Sequence, residues 1–182
     1  MYGNINEWNQ ELYSIPLRDL SEEDLFRFVG KVITTWGEKE DLKHFLPRIL
    51  ELTSLYTPPY EIWIIFEKLT LANWKNWPTE EKQAIEKFMY DLWEHLINDE
   101  SEKATYNFLD YFSTLAHFGT DFKKLLSIWT TSTSLVPIIH LTTLITEEHF
   151  NIFHKGIISG FNNQTSNSLT LKRWLLTAGI LR

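Results

Sequence analysis

Between Asp41 and Leu52 the apolar residues Leu42, Phe45, Leu46, Ile49 and Leu50 recur at the spacing of one buried helix face. Pro47 interrupts this stripe and Arg48 follows it directly. Inside a helix, proline removes one backbone donor and crowds the carbonyl four residues back, here Lys43. Two arrangements satisfy that constraint. Either a short helix ends near Phe45 and Pro47 opens a second one, or a single helix is kinked at Pro47.

The same period marks most of the chain. Ser21, followed by Glu22, Glu23 and Asp24, reads as a capped helix start carrying Leu25, Phe28, Val29, Val32 and Ile33, with Gly37 as its stop. A strongly apolar helix is expected from Tyr60 to Leu71. Trp77-Pro78-Thr79-Glu80-Glu81 opens another, whose stripe is Ile85, Phe88, Met89, Leu92 and Leu96. Ser101 and Asp121 start two more, the first stopped by Gly119. Pro137 opens a helix to about Ile145, and Thr146-Glu147-Glu148 reads as the cap of a further one with Phe150, Phe153 and Ile157 inward. A last helix carries Leu171, Trp174 and Leu175 and is closed by Gly179. The segment 1–20 reads as irregular, and 161–168 as a polar mobile loop.

The expectation is therefore an all-α fold of about eight or nine helices with no sheet. Short connections make sequential helices antiparallel neighbours, in an irregular HEAT-like α-α superhelix. At 182 residues the chain is long enough to bury a core as a single helical domain over 1–182.

Composition narrows the function more than it identifies it. The net charge of −7, with no long basic run, argues against nucleic acid; a basic protein is a more natural partner, but such acidity serves solubility first. The absence of cysteine excludes disulfides, thiolate metal sites and a cysteine nucleophile. No secretory signal is legible at the N-terminus and no apolar run is long enough to span a bilayer, so a cytoplasmic protein without membrane contact is expected.

Candidate chemistry is sparse. Asp41 and His44 supply only one approximate unit of a di-iron site, which needs two. His149 and His154 are five apart and point to different faces of an α-helix. Asp91 and His95 read as a surface pair, and His140 as a satisfied core histidine. No nucleophile elbow or glycine-rich phosphate loop is present. The acidic pairs Glu80-Glu81 and Glu147-Glu148 stand at helix starts, where the macrodipole explains them. No catalytic residue, metal site or cofactor is assigned. The binding candidates are Arg48, with Glu51 as a possible ion-pair partner, and the rings Trp74 and Trp77, placed near helix ends where they could stay partly exposed.

The run Phe45-Leu46-Pro47-Arg48-Ile49-Leu50-Glu51-Leu52 resembles a motif of uncharacterised bacterial all-helical proteins. A Trp-Pro helix start like Trp77-Pro78 and a helix like Phe88 to Trp93 accompany it there. The resemblance implies a bacterial, cytoplasmic, helical protein and brings no activity with it. The reading is a non-enzymatic protein-binding module, an immunity or antitoxin-like inhibitor of a basic effector. The alternative is an enzyme or small-ligand binder whose site is assembled from distant helices.

Overall fold

Ser21 caps its helix on both sides. Its hydroxyl accepts the Asp24 N–H at 3.2 Å, while the Asp24 carboxylate accepts the Ser21 N–H at 2.8 Å. That reciprocal bond draws the Asp24 pKa down, the Ser21 hydroxyl contributing most and its N–H next. The fold built on such starts comes from a computed structural model that describes residues 5–118, 121–132, 134–159 and 165–177. Among these there are nine α-helices and no strand, so the fold is all-α. No described helix is long and apolar enough to cross a membrane. The chain divides into two compact units, Met1–Pro78 and Thr79–Arg182.

The N-terminal unit holds α1 (Ile5–Ser14), α2 (Glu22–Lys31), α3 (Lys39–Ser54) and α4 (Ile62–Leu71), with short 3-10 turns at Leu17–Asp19 and Trp74–Asn76. The expectation of an irregular segment over 1–20 is corrected by α1. Trp8, Leu12 and Ile15 are spaced as one helical stripe, and Leu12 is 4% exposed. A ladder of rings fastens α1 to its neighbours: Trp8 lies 5.4 Å from Trp36, Phe28 4.8 Å from Phe45, and Phe45 5.0 Å from Tyr13. The Tyr13 hydroxyl donates to Asp41 at 2.8 Å. Partial burial, then that bond and the carboxylate charge, push the Tyr13 pKa up to about 12.

Pro47 lies inside one continuous helix, α3. The first arrangement, two helices meeting at Pro47, is thereby excluded. The proline itself is exposed, while Phe45, Leu46 and Ile49 beside it are buried. The missing N–H thus falls on the solvent side, where the lost bond costs least. α2 ends at Lys31, six residues before the expected stop at Gly37. Ile33 adopts a φ of +68°, which a β-branched residue rarely takes.

The C-terminal unit holds α5 (Thr79–Asn98), α6 (Glu102–His117), α7 (Phe122–Thr131), α8 (Val136–Phe150) and α9 (Thr165–Thr177). α5 packs against α6, α7 and α8. Its core is a ring cluster in which Trp129 stands 5.2 Å from Trp93, 5.7 Å from Phe108 and 5.8 Å from Phe112. The two indoles donate to carbonyls, Trp93 to Leu125 at 2.9 Å and Trp129 to Pro137 at 3.0 Å. Large buried rings with a polar edge need such partners.

Three expectations here are corrected. α8 runs through Thr146-Glu147-Glu148 to Phe150 without a new start, and then widens into a π-turn at Asn151–Lys155. Phe150, expected inward, is 59% exposed. Thr165–Ser168, expected inside the mobile loop, forms the first turn of α9, and Ser168 is 1% exposed. Residues 161–164, Gly119 and Gly179 lie outside the described residues.

Candidate functional site

The stripe that makes α1 a helix also makes one wall of a pocket. Trp8, Glu11, Leu12 and Ile15 face Glu23, Asp24, Phe26 and Arg27 of α2, with Trp36 at the base, around about 200 Å³. That is below the roughly 300 Å³ at which small-molecule sites begin, and it suits one long side chain. Trp36 is held in place by its Nε1, which donates to Asn9 at 2.6 Å. Phe26 is 55% exposed and stacks on Tyr60 at 4.8 Å.

The electrostatics of this pocket favour a cation. Glu11 and Glu23 are exposed at its rim, and Asp24 is kept ionised by Ser21. The Trp8 face already carries cations of the same unit, Arg27 at 4.6 Å and Lys31 at 5.9 Å from the ring centroid. An indole face next to carboxylates binds guanidinium and ammonium groups through the ring quadrupole and the charge together.

Arg48, the charged residue singled out in the sequence, serves structure first. Its Nε donates to the Leu20 carbonyl at 2.8 Å and its Nη1 to Glu51 at 2.8 Å. One guanidinium thereby ties α3 to the turn that precedes α2. An open groove of about 470 Å³ lies alongside, edged by Pro16, Leu17, Arg18 and Pro47.

Trp74 and Trp77 are 3% and 7% exposed, so neither ring stays partly open at a helix end. The Trp77 Nε1 donates to the Ala72 carbonyl at 2.9 Å, and Lys43 stands 4.6 Å over its ring. These rings staple the end of α4 to the core.

The titratable pairs also sort themselves. Asp41 is taken by Tyr13 and by the Glu38 N–H, while His44 stacks on Tyr13 at 5.2 Å. The expected Asp91–His95 pair does not form: Asp91 pairs with Lys87, and His95 with Asp99 at 3.6 Å. His140 is a core histidine, 0% exposed and stacked on Phe108 at 4.6 Å. Its Nε2 lies 3.4 Å from the Asp99 carbonyl, and the Leu96 backbone also bonds to the ring. Burial pushes its pKa down. His149 and His154, expected on different faces, lie 5.7 Å apart.

No family model, curated protein or solved structure matches this chain.

Lys68 was not legible in the sequence. It is 5% exposed on α4, and its ammonium donates to the Gly30 carbonyl at 3.2 Å, at the carbonyl end of α2. Burial pushes its pKa down. The signal was faint: a lysine within an otherwise apolar helix face, whose partner is 38 residues away. A second cavity of about 190 Å³ is lined by Asp110, Ser113, Glu148 and Ser159 with apolar neighbours. Two of its polar groups, Glu148 and Ser159, are tied together. Asn151 donates to Glu148 at 3.0 Å and to Ser159 at 2.6 Å, and the Ser159 N–H donates to Glu148 at 3.3 Å. This closes the chain after the π-turn. Among the described residues no three metal-ligating side chains converge.

Proposed function

We propose that the chain is a non-enzymatic protein-binding module whose α1–α2 pocket receives a lysine or arginine side chain of a basic protein. The observation that carries this reading is the Trp8 ring beside Glu11 and Glu23, already covered by Arg27 from its own unit. A partner's cation finds there two exposed carboxylates on a wall whose indole already holds a guanidinium. The net charge of −7 speeds the encounter with a basic surface. Within this class the reading is an immunity or antitoxin-like inhibitor of a basic effector in a bacterial cytoplasm, built on a HEAT-like helical stack.

The test uses two matched baits against the native host's proteins, the wild-type chain and the double variant Glu11→Lys, Glu23→Lys. Both positions are exposed, so charge reversal leaves the core intact. A basic protein held by the wild type, released by salt and lost by the variant supports the reading. Recovery of no partner at micromolar bait, or of one held equally by both baits, overturns it.

A further inference from the structure

A second site lies in the C-terminal unit and rests on different residues. After Phe150 the helix widens into the π-turn Asn151–Lys155, ended by Gly156 at a φ of +69°. In a π-turn the hydrogen-bonding step is five residues rather than four. Residues five apart then share a face, as residues four apart do in an α-helix. His149 in the last turn of α8 and His154 in the π-turn straddle the start of the widening, with ring centroids 5.7 Å apart and planes inclined by 61°.

Both imidazoles are exposed. Phe153 and Phe150 brace them, with ring separations of 5.1 Å to His149 and 5.2 Å to His154. The neighbouring ammonium groups are drawn onto those phenyl faces. Lys155 lies 5.2 Å over Phe150, and Lys172 lies 5.8 Å over Phe153 while donating to its carbonyl at 3.4 Å.

We propose that His149 and His154 form a two-imidazole chelate for a divalent transition cation, with water completing its coordination. Imidazole nitrogen binds zinc at about 2.0–2.1 Å, which places each ring centroid about 3.2 Å from the metal. Two rings at a tetrahedral angle then stand about 5.2 Å apart. The observed 5.7 Å lies close to that separation, and two exposed side chains close the difference by small rotations. Imidazole suits copper, nickel and zinc, and affinity rises to its maximum at copper. The ion bridges the last turn of α8 and the π-turn itself, so binding holds the π-turn in place.

The test is calorimetric titration of the full untagged chain with Cu²⁺ and with Zn²⁺ in a non-coordinating buffer. One Cu²⁺ per chain is expected, bound more tightly than Zn²⁺. His149→Ala and His154→Ala should each weaken Cu²⁺ binding at least tenfold, while His95→Ala leaves it unchanged. The electron paramagnetic spectrum of the Cu²⁺ form should show two coordinated nitrogens, falling to one in either variant. Absence of saturable binding at millimolar metal overturns the proposal. So does a one-to-one site that survives both substitutions.

Discussion

Two ring clusters, one in each unit, use aromatic residues in opposite ways. In the cluster around Trp129 the rings are drawn inward: Trp93, Phe108, Phe112 and Trp129 are all at most 4% exposed, and the indole N–H groups end on backbone carbonyls. In the N-terminal unit the rings run from the core outward. Phe28 and Phe45 are buried, Trp8 is half-buried, and Tyr13 and Phe26 are 48% and 55% exposed. A closed cluster gives stability alone. An open ladder also leaves π-faces where cations can reach them, and Arg27 and Lys31 already do so. A high aromatic content therefore says nothing of function until the rings are placed.

The largest test of this contrast is truncation. Trp93→Ala should cost about 3–5 kcal/mol by the combined loss of buried area and cavity formation, read from denaturant unfolding. Trp8→Ala should cost much less. Equal losses would mean that Trp8 belongs to a core like that of the other unit, and the contrast would collapse.

Next in size is Arg48→Ala. It deprives the buried Leu20 residue's carbonyl of its donor, a loss of about 1–3 kcal/mol. Arg48→Lys should recover only part, since an ammonium lacks the fork that reaches Leu20 and Glu51 together. Full recovery in the lysine variant would argue that charge, not geometry, joins α3 to the turn before α2.

A third test sharpens the polar side of the comparison. His140 is buried with its pKa lowered from 6.5, so the unfolded chain binds its proton more readily than the folded one. Its contribution to stability is complete above that pH and is lost as pH falls below 6.5 and through the lower folded value. The denaturation midpoint of the C-terminal unit should therefore drop between pH 7 and 5, and His140→Phe should flatten that slope. An unchanged slope in the variant would remove His140 as its source.

The smallest effect concerns Ile33. The left-handed conformation costs an L-residue about 1–2 kcal/mol, partly offset by the extra freedom glycine has in the unfolded chain. Ile33→Gly should stabilise the N-terminal unit by about 0.5–1 kcal/mol in thermal unfolding. A loss instead would show that the half-buried side chain packs for more than its backbone costs.

Helix identity was legible wherever caps and stripes agreed, as at Ser21, Ser101 and Asp121, whose side chains accept the expected backbone N–H groups. It was misread where the stripe was short, as in α1, and where cap-like residues stood inside a helix, as at Thr146-Glu147-Glu148. The pocket was not legible because its two walls are separate helices, each with an unremarkable acidic turn. The His149–His154 pair was excluded by a period of 3.6 that the π-turn locally breaks.

By itself, the sequence determined the all-α class, most helix starts and the buried faces, because those depend on contacts three or four residues apart. It also determined the net charge of −7. Only the tertiary structure decided that Pro47 sits inside one helix, that Trp74 and Trp77 are interior, and that Trp8 opens toward Glu11 and Glu23. Those outcomes turn on which faces meet across tens of residues, and such meetings are set by packing that no local period encodes.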